Sequence, residues 1–324
     1  FIIGGSMMLP LFVAIIYKEY DSVVAFTITC AITFGLGIIT TSILGKNAST
    51  EALHYTDSYF IVASTWIMSS VLAAIPFVIQ GSIPNVIDAF FEMCSGFSTT
   101  GATILTDVEA LPKSMLFWRS ETQWLGGMGI IVLMVALVPN LGVKAQNVAS
   151  AETPGPTVTK LTSRFSDTAR SLYIAYVILT AILIILLLFG GMNLFEAVAH
   201  AFSTMATGGF GIYNDSIAHF NSYYITWVIT IFMIIAGTNF NLFFTMIFDK
   251  VKTALADEEL RLYILILVMS TTLITVSLLL QGGYHSVFKT ITDAAFQVST
   301  LISTTGYATT NFNIWPAFCK MILL

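Results

Sequence analysis

Seven apolar runs dominate the chain, at residues 1–17, 22–44, 59–80, 114–138, 171–190, 223–248 and 262–280. About 20 helical residues, rising about 1.5 Å each, cover a hydrocarbon core of about 30 Å, so runs of this size read as membrane-spanning helices. With 56% of the 324 residues hydrophobic and only 10% charged, a soluble globular domain is excluded. The fourth run qualifies if one arginine and one glutamate are tolerated. A cleaved leader does not fit the first run, which has neither a basic flank nor a small-residue cleavage site. The chain starts at Phe1 without a methionine and stops at Leu324 inside a new apolar run, so both ends read as cuts in something longer.

The formal charge of −5 says little about partners, but the placement of the charges sets an orientation. If Phe1 begins on the cytoplasmic side, the loops at 45–57, 142–170 and 249–261 are cytoplasmic. They hold Lys46, Lys144, Lys160, Arg164, Arg170, Lys250, Lys252 and Arg261, eight of the thirteen basic residues. The other side keeps Lys18, Lys113 and Lys289, with Arg119 and Lys320 near helix starts, as the positive-inside rule requires. Cys30, Cys94 and Cys319 lie in apolar surroundings without metal or disulfide spacing and read as packing residues.

Three segments repeat one pattern: DAFFEMCSGFSTTGAT from Asp88, EAVAHAFSTMATGGFG from Glu196 and DAAFQVSTLISTTGYA from Asp293. In each, a carboxylate and an alanine open an apolar stretch that reaches a glycine thirteen residues later, at Gly101, Gly209 and Gly306. The units share one grammar, a long apolar run, a short one, a polar loop and a second long run. The short runs, 86–97, 194–205 and 290–302, cannot span a bilayer and read as re-entrant half-helices. Residues 1–44 form a separate two-helix hairpin outside the repeat.

Non-helical backbone at membrane depth is tolerated only inside protein or along a water-filled path, so three equivalent loops imply a shared polar axis. The recurring glycine permits positive φ, which lets successive carbonyls face one side, and a ring of carbonyls replaces the water shell of a monovalent cation. Each half-helix ends with its negative pole at its loop, which favours a cation again. Asp88, Glu196 and Asp293 suit the opposite pole as N-terminal acids with a structural role. The competing reading, small residues serving helix packing alone, fits one TTG tripeptide better than three at a fixed distance from an acid.

The blocks FSTTGATI with LPKSMLFWRSETQWLGGMGIIVL, FSTMATGGF with AGTNFNLFF, and ISTTGYATTNFNIWP resemble the Trk/Ktr family of potassium-uptake proteins, the membrane subunit of the TrkH and KtrB type. The resemblance covers nearly the whole chain. It implies an all-α integral membrane protein of repeated helix, re-entrant pore helix and helix units around a pseudo-fourfold pore, homodimers in lipid, and a cytoplasmic RCK-type nucleotide-binding regulatory subunit. Carried onto this sequence, the filter carbonyls come from Thr99, Thr100 and Gly101, from Thr207 with Gly208 or Gly209, and from Thr304, Thr305 and Gly306. The second loop stays open, because carboxylate spacing equates Gly209 with Gly101 whereas the Thr-Gly step equates Gly208. The family's fourth repeat, and the Gly-rich gate loop of its third, have no counterpart here, and no loop carries a full TVGYG.

The expected organisation is a hairpin at 1–44, pore repeats at 58–141, 171–248 and 262–324, and cytoplasmic loops at 142–170 and 249–261. Potassium is the expected substrate of a multi-pass protein of the cell (inner) membrane, with no cofactor in the chain and no nucleic-acid partner. A cation-coupled secondary transporter also uses broken helices, although such folds commonly invert their repeats. An intramembrane hydrolase would need Ser203 or Ser95 beside a histidine, and only His200 is near. Neither His54, His200, His219 and His285 nor any catalytic motif supports an enzyme. Arg119 and Glu121 read either as an interfacial pair or as polar contacts to neighbouring loops, and equally as support for the filter. GGMG at 126–129 reads as close packing, GTNFN at 237–241 equally as packing or a kink, and PGP at 154–156 as a solvated connector or partner contact.

Overall fold

The computed structural model describes residues 1–43, 55–129, 165–238, 257–281 and 286–324. The basic loops, PGP at 154–156 and residues 239–241 of GTNFN lie wholly or largely outside them. The described residues form helices and turns, in two compact units, Phe1–Arg170 and Ser171–Leu324.

In the first unit, α1 (Ile2–Ser6) and α2 (Met8–Ile16) lead into α3 (Tyr20–Ile43), α4 (Tyr55–Gln80), the half-helix α5 (Val86–Phe97) and α6 (Lys113–Gly127). The expected first span is a shorter apolar helix, Ile2–Ile16, with one irregular turn. Pro10 has no N–H to give the Ser6 carbonyl and its ring crowds that oxygen, so the regular bonding is interrupted one turn earlier, at Met7, which keeps right-handed helical torsions. By contrast α3 and Phe60–Gln80 of α4 are long and apolar enough to cross a membrane.

The hairpin is bound into the repeat. At its turn the N–H of Lys18 donates to the Ile15 carbonyl and that of Glu19 to Ala14, with Lys18 in the left-handed region at φ 60°. This paired helix ending delivers Glu19 to the start of α6, whose N-cap residue, Pro112, provides no side-chain cap. The Glu19 carboxylate accepts the N–H of Lys113 at 2.7 Å and of Ser114 at 3.1 Å, and the Ser114 hydroxyl as well. Two otherwise unpaired N–H groups at a positive helix pole are satisfied by one anion. Within the unit α6 packs against α2 and α5, and every residue from Ser114 to Gln123 is buried. Trp118 donates its indole N–H to the Ala73 carbonyl of α4 at 3.0 Å and meets Phe26 of α3 edge-on.

The second unit holds most of α7 (Phe165–Phe189), then α8 (Leu194–Met205), a 3-10 turn at Ser216–Phe220, α9 (Tyr223–Ala236), α10 (Glu258–Leu280), α11 (Val287–Ile302) and α12 (Ala317–Leu323). Leu172–Phe189 of α7 and all of α10 are long and apolar enough to cross a membrane. Ile274 and Leu278 of α10 pack with Ala294 and Val298 of α11, and with Trp315 and Cys319. On α9, the Trp227 indole donates to the Thr292 hydroxyl of α11 at 3.1 Å.

The runs 114–138 and 223–248 do not continue as single helices. α6 stops at Gly127, followed by Gly129 at φ 69°, and α9 stops at Ala236 with Gly237 as its C-cap.

Replacing Glu19 by alanine leaves the first turn of α6 without its acceptor. The expected loss is about 1–2 kcal/mol, read as a lower melting temperature of the full-length protein in detergent, with Glu19→Gln intermediate.

Candidate functional site: three turns at half-helix ends

The two shorter half-helices begin alike. Asn85 accepts the N–H of Ile87 at 2.9 Å ahead of α5, and Asn193 exchanges a reciprocal pair of bonds with Glu196, both 3.0 Å, ahead of α8. Asp88 and Glu196 therefore stand in first turns, and Glu196 also accepts the Tyr213 hydroxyl at 2.7 Å. Asp293 departs from the expected N-terminal position. Its helix begins after the N-cap Ser286, one turn earlier, and Asp293 is buried well inside it. The reason lies at Thr290, in the place of Asn85 and Asn193. Its hydroxyl donates to the Ser286 carbonyl at 2.9 Å, so the residue continues the helix instead of capping it.

All three half-helices end in a residue of left-handed conformation, and in all three it is threonine: Thr99 at φ 53°, Thr207 at 52° and Thr304 at 60°. Glycine is usual there because a β-branched side chain is strained at positive φ, by about 1–3 kcal/mol. The backbone bonds nevertheless close. Thr99 N–H donates to Gly96 and Thr100 N–H to Ser95; Thr207 donates to Thr204 and Gly208 to Ser203; Thr304 donates to Leu301 and Gly306 to Thr300. Two residues beyond each threonine comes a glycine with positive φ, Gly101 at 75°, Gly209 at 75° and Gly306 at 84°. These angles align Gly209, not Gly208, with Gly101, and set Gly208 opposite Thr100 and Thr305.

Side chains distinguish the loops. The hydroxyls of Ser98 and Thr100 share a 2.8 Å hydrogen bond, as Ser303 and Thr305 do at 2.7 Å, whereas Ala206 and Gly208 have no hydroxyl to share. In the second unit the second and third loops meet. A Cβ on Gly209 would lie 1.8 Å from the Thr305 carbonyl oxygen, so only glycine fits. Further out, the Ala308 carbonyl accepts the N–H groups of Ile217 and Ala218, and the Ala308 N–H donates to the Ser216 hydroxyl. The first loop belongs to the first unit.

Glu92, which the repeat pattern does not single out, organises the first loop. Its carboxylate lies on the buried face of α5 and accepts Arg119 Nε at 2.8 Å, with Nη2 also 2.8 Å away. It accepts the Thr103 hydroxyl at 2.9 and 3.0 Å and the Ile104 N–H at 3.1 Å. The two side chains are 0% and 2% exposed, so each charge depends on the other. Of the readings left open for Arg119 and Glu121, a pair between the two is not formed: residues two apart on a helix point in different directions, and Glu121 Oε2 is buried without a hydrogen-bond partner. The available signal is a second carboxylate in the half-helix, one turn beyond Asp88.

Gly126 explains part of GGMG. A Cβ there would lie 2.1 Å from the Phe97 carbonyl oxygen, so α6 rides directly on the end of α5. In GTNFN the approach to Gly237 is looser, a Cβ there lying 2.9 Å from the Tyr263 hydroxyl and 3.0 Å from Ser303 Cβ. The hydrolase constellation is not formed. His200 Nδ1 is 2.9 Å from the Glu196 carbonyl and therefore carries the proton, while its Nε2 has no hydrogen-bond partner and so accepts from neither Ser95 nor Ser203.

The model of the TrkH cation transport protein family matches residues 24–324. The chain belongs to the TrkH family. It is 37% identical to the Trk system potassium uptake protein TrkH of Escherichia coli K12 and 35% identical to TrkG of the same strain, over 99% and 98% of its length. It spans 66% of each of those relatives. The crystal structure of the potassium transporter TrkH from Vibrio parahaemolyticus superposes with a TM-score of 0.83 at 33% identity, covering 99% of this chain and 65% of that one. Membership makes the chain a multi-pass membrane protein of a cation transport family, not an enzyme.

Gly126→Ala forces a side chain into the end of α5, and a loss of about 1–3 kcal/mol is expected. The comparison is Gly35→Ala, where a Cβ meets nothing within 4 Å. A Gly126 variant melting no lower than the Gly35 variant contradicts the packing.

Proposed function

We propose that this chain is the greater part of a potassium-uptake protein, with potassium as its substrate and a filter of backbone carbonyls. The residues assigned are Thr99, Thr100 and Gly101, then Thr207, Gly208 and Gly209, then Thr304, Thr305 and Gly306. The observation that carries the reading is the recurrence, at three half-helix ends, of a left-handed threonine and, two residues on, a left-handed glycine. Such strain persists where the surrounding structure over-determines it, and it clusters at functional sites. The names of the relatives supply the cation.

The chemistry follows from the turns. A dehydrated cation needs oxygen ligands in place of water. The helix-ending bonds occupy the N–H groups at the start of each loop, so the backbone there has carbonyls rather than donors to offer a ligand. The negative pole of each half-helix adds a field of the right sign. By resemblance the three loops are three sides of a four-sided ring, and the gate lies further in. The hairpin at 1–44, the repeats at 58–141, 171–248 and 262–324, and the loops at 142–170 and 249–261 follow, except that the last residues of the two loops, from Phe165 and from Glu258, already belong to α7 and α10. So do insertion in the cell (inner) membrane from a cytoplasmic start, a homodimer, and an RCK-type nucleotide-binding subunit against the cytoplasmic loops.

Gly101→Ala in the full-length protein puts a side chain on a left-handed filter residue. The expected outcome is normal membrane insertion with a preference for potassium over sodium reduced about tenfold or more, measured by rubidium uptake in competition with sodium. Unchanged preference overturns the filter assignment.

A further inference from the structure

Nine residues before each filter glycine, and four after each acid, every half-helix carries a buried polar side chain: Glu92, His200 and Gln297. They are 0%, 0% and 1% exposed. A buried polar group costs stability unless it is hydrogen-bonded, so what each of them holds is informative. Glu92, with Arg119, holds the Thr103 hydroxyl and the Ile104 N–H, two and three residues past Gly101. Gln297 donates its amide N–H to the Thr310 carbonyl at 3.3 Å, four residues past Gly306. The two side chains differ in charge and in hydrogen-bonding sense, yet both reach the segment leaving their own loop. His200 does not, because its ring N–H turns back to the Glu196 carbonyl. The second exit is reached from its neighbour, through the Tyr307 hydroxyl at 3.4 Å from the Phe210 carbonyl.

We propose that Glu92 and Gln297 are positioning residues for cation preference: from one repeated position each fixes the exit of its filter loop and thereby the spacing of the carbonyls. Neither touches the cation. The proposal rests on the filter reading above. A left-handed threonine leaves a strained turn, and a strained turn keeps one geometry only if both its ends are held. The half-helix holds the entry, and the residue at this position holds the exit.

The test uses the full-length protein in cells lacking other potassium uptake, reading rubidium uptake, its competition by sodium, and membrane abundance. Glu92→Leu with Arg119→Met removes the clamp without leaving one buried charge alone. It is expected to lower the preference for potassium over sodium about tenfold. Gln297→Glu replaces the donor facing the Thr310 carbonyl by an acceptor and is expected to lose a similar factor. Gln297→His keeps a donor and is expected to stay within about threefold of the unmodified protein, a difference that loss of packing does not produce. If the double variant fails to insert, the two Gln297 variants decide. Inserted variants with unaltered preference, while Gly101→Ala shifts it, overturn the proposal and leave the filter reading standing. If Gly101→Ala shifts nothing either, the filter reading itself falls.

Discussion

Backbone that leaves the helical conformation inside a hydrocarbon layer must find partners for its polar groups within the protein. In each of the three half-helices, the N–H groups that follow the last turn fold back onto carbonyls of that turn. The reversal needs one residue in the left-handed region, and threonine takes it three times. The chain accepts strain at these points in return for a turn whose donors are already occupied. Glycine two residues on completes the reversal.

Close packing makes those turns hold. Gly126 lets α6 press on the last carbonyl of α5, and Gly209 admits the Thr305 carbonyl where any side chain would stand. Gly126 is not needed by its own helix, whereas Gly209 is needed by its own turn, at φ 75°, as well as by its neighbour. Each is needed by the element that approaches it, so bulk at either point displaces the backbone of a loop. Long-range polar contacts complete the frame. Glu19 caps α6 from the hairpin, Glu92 and Arg119 clamp the segment after the first loop, and Ser216 binds the segment after the third.

Much of this was legible. The half-helices at 86–97 and 194–205 have the expected bounds, because Asn85 and Asn193 cap them and a left-handed residue stops them. The third has four further residues' worth of helix before Asp293 than its acid implies, because a threonine hydroxyl can bond back along a helix where an asparagine caps it. The two long runs with internal glycines at 126 and 237 also misled, since apolar content alone does not distinguish a continuing helix from one that ends against a neighbour.

Sequence by itself determined four of the seven expected spans, the bounds of two half-helices and the places of the three loops. Each of these depends on run length, on local hydrogen-bonding chemistry or on a pattern repeated along the chain. The tertiary structure alone decided that Arg119 answers Glu92, that Glu19 serves a helix almost a hundred residues away, and that the Thr305 carbonyl stands against Gly209. Those outcomes depend on which faces meet and on which torsions the meeting imposes, and residues far apart in the chain carry no local mark of either.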